Sequence, residues 1–403
     1  MKKSFKRYLA LIAAGMMALS MASCSDITGK LTGLFGEDSE ESSTLEDTYE
    51  PIILKEVSQA KNVILMIGDG MGPQQIKAGE IFKGERLCMQ GFPYKTFVET
   101  RSASNEITDS AAAATALATG TRTTNGVVGQ SPTGEELTTI VDIAHSLGKR
   151  TGVIATEEIH GATPMGFSAH ASSRELESDL IKSAISSSNV DLFASSVFKT
   201  AYQTAFEEAG YTKIEKVDDI SESTADKVFG SYQIRAAAES MSSAFSKVAF
   251  DRVVTEALEY LSQDEDGFFL MAEGSHIDHG GHGNDIAYML DELLAFDDGV
   301  RAALEWAKDR DDTVIIVTAD HETGGLQLKP GVTGENILDI GSTDGGMTYQ
   351  PLFYEWTTTS HSPQEVYCFI NGANIDFSQY TYNTNDRIAN TDVFKIMKKL
   401  LEG

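Results

Sequence analysis

A serine at the mouth of an alanine-rich helix is the first candidate for chemistry. Within residues 108–116, Ser110 stands directly before four consecutive alanines. Alanine is the strongest helix former, so the sequence predicts a helix over 111–118, capped by Thr108 or Asp109. The N–H groups at that helix end suit a phosphate oxygen and a developing alkoxide, which makes Ser110 a candidate nucleophile. An ordinary capped helix has the same local pattern, so other segments must decide.

Carboxylates and histidines follow three predicted strands. Asp69 lies between glycines after the apolar run 63–67, and Asp320 and His321 come after the run 313–317. The run 268–272 is followed by a ten-residue segment that holds three of the eight histidines in the chain, and its candidate ligands are Glu273, Asp278 and His282. Imidazole and carboxylate groups clustered in this way favour a divalent metal centre.

The elements that must position these side chains alternate between strands and helices. Short apolar runs predict strands buried on both faces of a sheet, at 63–67, 151–155, 268–272, 313–317 and 366–370. Helical periods separate them, most clearly at 137–147 and 286–304. The alternation predicts an α/β fold, a doubly wound and mostly parallel sheet with helices on both faces. Ligands bind such sheets at the carboxyl ends of the strands, where the candidate residues converge.

The beginning of the chain predicts export. Residues 1–23 have a basic start and an apolar stretch too short to span a bilayer, which is typical of a signal peptide. Residues 19–24 resemble a bacterial lipobox that would make Cys24 the lipidated first residue; plain secretion is the alternative. Residues 24–55 predict an acidic, disordered tether, and 56–403 one catalytic domain. The prediction is an exported periplasmic or cell-surface lipoprotein of a bacterium, attached to the membrane only through Cys24.

Composition narrows the partners. The chain has 60 acidic and 32 basic residues, a net charge of −28, which repels nucleic acid and anionic lipid headgroups. Cys88 and Cys368 either form a disulfide or remain buried thiols, and their spacing fits no metal knuckle. We favour the thiols.

Taken in order, these segments resemble the alkaline phosphatases. The resemblance runs from about Asn62 to the C-terminus and rests on residues 69–72, 108–111, 162–164, 170–174, 273–282, 320–321 and His361. It implies an alkaline-phosphatase-like fold and metal-dependent hydrolysis of phosphate monoesters through a phosphoserine, releasing inorganic phosphate and an alcohol. Small phosphorylated metabolites are the expected substrates, and a homodimer is possible.

The resemblance also implies two zinc ions and one magnesium ion. The implied ligands of the first zinc are Asp278, His282 and His361. Those of the second zinc are Asp69, Asp320 and His321. Those of the magnesium are Asp69, Thr163 and Glu273. Ser110 would be the nucleophile, and the planar guanidinium of Arg174 would clamp two phosphate oxygens.

Three features depart from the family pattern. Gly161 stands where many members carry an acid or a histidine, so the surroundings of the magnesium site are open. His279 stands where some members have lysine; it is a candidate to hold phosphate, directly or through water, or a metal. The serine-rich segment 186–246 is expected to be the least family-like part and to cover the rim of the site.

Two other readings compete with this one. The first is a phosphodiesterase or sulfatase of the same architecture; a sulfatase needs Pro and Arg soon after its modified residue, whereas Ser110 is followed by alanines and threonine. The second is a non-catalytic lipoprotein that captures phosphorylated ligands. An intact Ser110 and Arg174 disfavour it, because a binding protein needs no nucleophile.

Overall fold

The computed structural model describes residues 49–104, 107–187, 189–196, 198–234, 247–343, 348–380 and 387–403. The predicted signal peptide, the lipidation at Cys24 and the tether up to residue 48 lie outside the described residues. So do residues 235–246 of the serine-rich segment. Within the described parts, no helix combines the length and the apolar character that crossing a bilayer requires.

The described residues form one large sheet and several two-stranded ribbons. The strands are β1 (Asn62–Gly68), β2 (Tyr94–Glu99), β3 (Arg150–Glu158), β4 (Leu192–Ser196), β5 (Thr212–Ile214), β6 (Val228–Ser231), β7 (Gln233–Ile234), β8 (Lys247–Val248), β9 (Phe268–Gly274), β10 (Thr313–Thr318), β11 (Glu322–Thr323), β12 (Leu326–Leu328), β13 (Ile340–Thr343), β14 (Thr348–Pro351), β15 (Tyr354–Trp356), β16 (His361–Ser362), β17 (Val366–Asn371) and β18 (Arg387–Ala389). The sheet has ten strands in the order β18-β2-β17-β10-β1-β9-β3-β4-β6-β5.

All strands of this sheet run in one direction except β17. It pairs antiparallel with both β10 and β2, so the run 366–370 is a strand as predicted but not a parallel one. The reason is the connection from β10. The chain leaves β10 at its carboxyl end and forms the ribbon of β11 and β16 before β17, and the described residues of this connection include no helix that would carry it back to the opposite edge. The next strand must then run backwards.

Helices cover both faces of the sheet. They are α1 (Pro73–Lys83), α2 (Ser110–Thr119), α3 (Ile140–Ser146), α4 (Ala162–Ser168), α5 (Glu177–Ser187), α6 (Thr200–Glu208), α7 (Phe250–Leu261), α8 (His276–His282), α9 (Ile286–Ala307) and α10 (Asn390–Glu402). The central strand β1 is buried at every residue. Helix α9 packs on α7 and β1, whereas α10 packs on α2 and β1. The doubly wound α/β fold is confirmed.

The alanine-rich helix is a core element. All ten residues of α2 are buried, and its cap is Asp109, whose carboxylate accepts a hydrogen bond of 3.0 Å from the N–H of Ala112. Its alanines allow α4 to approach closely, because a Cβ placed on Gly166 would lie 2.6 Å from the Cβ of Ala114. Small side chains therefore bring the helix that carries Ser110 against the helix that carries Thr163.

The predicted helix at 137–147 begins later than expected. Thr139 caps α3 in a reciprocal pair with Asp142, with hydrogen bonds of 3.1 and 2.7 Å. Leu137 lies outside the helix because its N–H donates to the carbonyl of Gly129 at 2.9 Å. The periodicity continues through a turn that is not helical. The helix predicted at 286–304 is α9, capped by Asp285.

Two further expectations from the sequence concern the cysteines and the segment 186–246. Cys88 and Cys368 are both buried free thiols, and burial raises the pKa of each to about 12. The described part of segment 186–246 contributes β4, β6 and β5, which extend the sheet beyond β3. Its covering of the site rim stays a prediction.

Candidate metal centre

The carboxyl ends of neighbouring parallel strands bring the acidic candidates together. Ile67 of β1 lies in register with Glu273 of β9 on one side and with Thr318 of β10 on the other. Asp69 and Asp320 each follow these paired positions by two residues, so they emerge side by side. All three carboxylates are buried. The strand register, rather than any local motif, therefore creates this acidic edge.

A second group joins α8 to β16. Asp278 and His282 lie one helical turn apart, with 3.3 Å between Oδ2 and Nε2. Nε2 of His361 lies 3.2 Å from Nε2 of His282 and 3.7 Å from Oδ1 of Asp278. One ligand atom from each of these residues lies within 4.8 Å of the others. The structure thus assembles the set Asp278, His282 and His361.

Glycines in α8 allow this assembly by close packing. Gly280 and Gly281 both lie inside the helix, between Asp278 and His282. A Cβ on Gly280 would lie 2.6 Å from Cα of Met289, and one on Gly281 would lie 2.8 Å from the carbonyl oxygen of Thr323. The glycines let α8 approach α9 and the chain after β10.

The imidazoles present lone pairs to one another. Nδ1 of His282 donates to the carbonyl of Thr359 at 2.7 Å, and Nδ1 of His361 donates to the carbonyl of Thr108 at 2.9 Å. In the neutral imidazoles both Nε2 atoms are then acceptors, although they lie only 3.2 Å apart. Acceptors facing acceptors repel unless a cation lies between them, and a second nitrogen held by a carbonyl is typical of a metal-ligating histidine.

His321 connects this group to the candidate nucleophile. Its Nε2 lies 3.2 Å from Oγ of Ser110, 3.1 Å from Oδ2 of Asp320 and 3.7 Å from Oδ1 of Asp69. Its ring stacks on that of His361, with 3.6 Å between centroids. The hydroxyl of Thr323 donates to Asp278, so it must accept from Nδ1 of His321 at 3.3 Å. Nε2 of His321 is again an acceptor, and it faces carboxylate oxygens of Asp320 and Asp69 and the hydroxyl of Ser110, which can donate to it.

The second set differs in one respect from the expected one. The ligand atoms within 4.8 Å of one another belong to Asp69, Asp278 and His321, so Asp278 stands between the two groups. Asp320 is adjacent: its Oδ1 accepts from the N–H of Gly70 at 3.2 Å and of His321 at 2.8 Å. These bonds orient Oδ2 towards Nε2 of His321.

Burial shifts the protonation of this group. It raises the pKa of Asp69 well above its usual value, with further increases from the charges of Asp320 and Asp278. The pKa of Asp320 is also raised, chiefly by burial. The pKa of His321 is lowered well below its usual value by burial and then by His361, so its imidazole is neutral at pH 7. Such shifts are typical of a cation site without its cation.

A third group of oxygens lies deeper. Thr163 and Glu273 are each 1% exposed. Among the described residues, Oγ1 of Thr163, Oε2 of Glu273 and Oδ1 of Asp69 are buried without a hydrogen-bond partner. Burial, followed by the charge of Glu157, raises the pKa of Glu273 to about 8. Unpartnered hydroxyl and carboxylate oxygens are a donor set that fits Mg²⁺.

Arg174 and His279 flank the site. Nη1 of Arg174 lies 3.5 Å from the carboxylate of Asp109, next to Ser110, and its side chain is partly exposed. Nε2 of His279 lies 3.9 Å from the carboxylate of Glu157, outside both three-residue groups. Arg174 therefore faces the start of α2, whereas His279 faces Glu157 at the end of β3.

Some residues of the site were not identified from the sequence. Thr323 links Asp278 to His321, and its position two residues after His321 was a usable signal. The carbonyls of Thr108 and Thr359 that orient the histidines carry no sequence signal, because any residue has a carbonyl. Asp109 was expected only as a cap, yet it also pairs with Arg174.

Fold and site define a class: an α/β protein whose strand ends hold a cluster of cation ligands beside a buried serine. The family model described as Alkaline phosphatase matches residues 60–205 and 245–343, more than half of the chain. The chain belongs to the alkaline phosphatase family. The unmatched stretch 206–244 falls within the segment expected to be least family-like, and His361 lies beyond the matched residues.

Individual relatives agree. The chain is 31% identical to alkaline phosphatase 4 of Bacillus subtilis over 298 residues, which cover 69% of this chain and 64% of that protein. It is 32% identical to the repressible alkaline phosphatase of Saccharomyces cerevisiae over 322 residues, which cover 68% of this chain and 56% of that protein. The chain thus spans less than two thirds of the length of these relatives.

Solved structures share the fold. Alkaline phosphatase from the Antarctic bacterium TAB5 matches with a TM-score of 0.70 and 28% identity, covering 86% of this chain and 99% of that one. A TAB5 mutant with Mg bound in the M3 site matches with a TM-score of 0.71 and 27% identity, over 86% of this chain and 99% of that one.

Proposed function

We propose that the protein hydrolyses phosphate monoesters, with Ser110 as the nucleophile. The observation that carries the proposal is the cluster of imidazole Nε2 atoms and carboxylate oxygens at the strand ends, with Oγ of Ser110 3.2 Å from one of those nitrogens. A binding protein gains nothing from a buried hydroxyl placed there. Membership of the alkaline phosphatase family supports the same activity.

The ligand sets fit two zinc ions and one magnesium ion. Asp278, His282 and His361 would hold one zinc; Asp69, Asp320 and His321 the other; and Asp69, Thr163 and Glu273 the magnesium. The Mg in the TAB5 mutant supports the third assignment. When bound, such cations lower the pKa of a nearby hydroxyl and balance the charge of the phosphoryl group.

The residues of the chain divide the remaining work. The guanidinium of Arg174 and the first N–H groups of α2 bind the non-bridging phosphate oxygens, which orients phosphorus towards Ser110. Oγ of Ser110 forms a bond to phosphorus while the bond to the leaving alcohol breaks. Water then releases inorganic phosphate from the phosphoserine and regenerates the hydroxyl.

The substrates we infer are small phosphorylated metabolites. The predicted lipid anchor at Cys24, the export of the protein and a possible homodimer depend on residues or contacts outside the described structure, and they stay predictions. His279 stays a candidate for contact with phosphate.

The test compares a monoester and a diester of the same aryl alcohol on protein loaded with zinc and magnesium. We expect a clear preference for the monoester, and we expect Ser110→Ala to lower turnover by at least about 1000-fold while the variant still binds inorganic phosphate. Ser146→Ala, an exposed serine of α3, is the matched control and should match the parent. A preference for the diester, or unchanged turnover in Ser110→Ala, would overturn the proposal.

A further inference from the structure

The space beside Gly161 is occupied by a carboxylate from another position. Gly161 caps α4, two residues before Thr163, and it has no side chain to direct towards the deep oxygens. A Cβ placed there would lie 3.5 Å from Oε2 of Glu157. Glu157 belongs to the end of β3, where the neighbouring Ala155 is in register with Glu273 of β9. The strand end thus delivers a negative charge to the place that Gly161 leaves open.

Glu157 is held in that place by groups on two elements. Its N–H donates to the hydroxyl of Ser275 at 3.3 Å, which ties the end of β3 to the start of α8. Its Oε1 lies 3.9 Å from Nε2 of His279, also on α8. The side chain is 38% exposed, unlike the buried Glu273, so Glu157 lies nearer the surface than Glu273.

The charge of Glu157 acts on the deep carboxylates. Glu157 follows Ala155, the partner of Glu273 in the sheet, by two residues, so its negative charge lies near that of Glu273. In the absence of a cation, a further negative charge raises the free energy of the ionised carboxylates of the site. With a divalent cation inside, the sign reverses, since every anion nearby then attracts the cation.

The deep oxygens supply an independent observation. Oγ1 of Thr163, Oε2 of Glu273 and Oδ1 of Asp69 are buried and lack partners among the described residues. Buried polar atoms are nearly always hydrogen-bonded, so these oxygens of Thr163, Glu273 and Asp69 are available to a cation. Oxygen donors of this kind suit magnesium.

We propose that Glu157 is a positioning residue for the magnesium site of Asp69, Thr163 and Glu273, and that it strengthens Mg²⁺ binding from the place beside Gly161. The proposal rests on the proposed function, because it assumes that this pocket holds magnesium. Gly161 has no side chain that could support the magnesium site. The proposal therefore assigns that role to Glu157 at the end of β3. Substitutions of such outer partners typically weaken metal binding about 10- to 100-fold.

The test measures Mg²⁺ binding directly. Zinc-loaded, magnesium-depleted protein is titrated with MgCl₂ by calorimetry, and zinc content is determined by elemental analysis. We expect Glu157→Gln to raise the Kd for Mg²⁺ about 10- to 100-fold without changing the zinc content. Glu158→Gln is the matched control: it removes the same charge one residue later, from a 44% exposed side chain that lies 3.0 Å from His160. Its Kd should equal that of the parent.

A second pair of variants tests the place of the charge. Adding Gly161→Asp to Glu157→Gln should restore tighter Mg²⁺ binding, whereas adding Gly161→Asn should not, although both side chains cap a helix equally well. The proposal is overturned if Glu157→Gln binds Mg²⁺ as tightly as the parent, if Glu158→Gln weakens binding equally, or if Asp and Asn at 161 behave alike.

Monoester hydrolysis by the parent protein is measured on the same samples to separate two failures. If the parent hydrolyses no monoester, the proposed function fails whatever the titration shows. If the parent is active but Glu157→Gln has an unchanged Kd, only the role of Glu157 fails.

Discussion

Two kinds of buried carboxylate occur in this molecule, and their surroundings differ. Asp297 of α9 is 1% exposed, yet both oxygens are partnered: Oδ2 lies 3.1 Å from Nζ of Lys83, and Oδ1 accepts from the N–H of Cys88 at 2.7 Å. At the strand ends, Asp69 and Glu273 are equally buried, but each has an oxygen with no hydrogen-bond partner among the described residues. Neighbouring carboxylates raise the pKa of Asp69, whereas the charge of Lys83 opposes the rise that burial causes in the pKa of Asp297.

The difference separates structure from function. A buried charge is costly unless it is paired, and Asp297 is paired with a lysine that joins α1 to α9. After burial, the charges that most raise the pKa of Asp69 are those of other carboxylates, and its Oδ1 lies 3.7 Å from the neutral imidazole of His321, so a bound cation would supply its counter-charge. Burial by itself therefore does not identify a site. Several carboxylates with unpartnered oxygens at one edge of the sheet do indicate one.

Removing the metals should produce the largest effect and should act on one kind of carboxylate only. We expect a chelator to abolish monoester hydrolysis, and zinc together with magnesium to restore it. The chelated protein should also lose stability, by about 4 kcal/mol if the free metal had exceeded its Kd 1000-fold. Activity assays and thermal unfolding provide the measurements. Full recovery with magnesium alone would contradict the zinc assignment.

Exchanging one carboxylate of each kind should have opposite consequences. Asp69→Asn should lower metal content and reduce activity by at least about 100-fold, because it removes an oxygen shared between two cation groups. Asp297→Asn should keep metal and activity but lower the free energy of unfolding by about 2 kcal/mol, since the bond to Lys83 loses its charge. Elemental analysis, turnover and urea unfolding distinguish them. Equal metal loss in both variants would show that the two kinds of carboxylate do not differ in their role.

Without metals, the strand-end carboxylates should make the protein less stable as pH rises. The pKa of Glu273 is raised from 4.5 to about 8, and those of Asp69 and Asp320 are raised too. Between pH 4.5 and about pH 8, the folded state therefore binds more protons than the unfolded state. The contribution of these carboxyl groups to the stability of the metal-free protein is fully present below pH 4.5 and is lost as the pH rises towards 8. The loss is at most about 1.4 kcal/mol per pH unit for each carboxyl group.

The measurement is urea unfolding of the chelated protein between pH 5 and 8. Protein loaded with zinc and magnesium is the control, and its stability should instead rise over this range, because cations displace the protons. A chelated protein that becomes more stable towards pH 8 would show that the carboxylates are not held protonated by their surroundings.

The smallest expected effect concerns Asp278, which is intermediate between the two kinds because Thr323 donates to it. Thr323→Val keeps the shape of the side chain but removes its link to Asp278 and His321. We expect zinc affinity to fall about 10-fold. Thr204→Val, an exposed threonine of α6, is the control. A metal-competition titration reports the change, and equal affinities in both variants would remove Thr323 from the site.

Much of the site was predictable because its residues directly follow strands. Asp69, Glu273 and Asp320 stand at the ends of apolar runs, and parallel strands open onto one edge. His361 was the weakest candidate in the sequence, since its loop has no local signature. It reaches the site because β16 pairs with β11, which follows His321 by one residue.

Other features required the folded chain. The direction of β17 depends on a connection that remains at one edge of the sheet, and the later start of α3 depends on a hydrogen bond from Leu137 to a distant loop. The role of Gly280 and Gly281 depends on what lies against α8. Each is decided by a contact between residues far apart in sequence, to which local periodicity is insensitive.

The sequence by itself determined the chemistry available to this protein: a serine at a helix start, acids and histidines after strands, and the alternation that makes an α/β sheet. Local propensity and hydrophobic period carry that information because they act over a few residues. Tertiary structure alone decided which acceptors face one another, that Asp278 stands between two groups, and that Glu157 fills the place beside Gly161. Those are distances between separate elements, and only the packed sheet and helices set them.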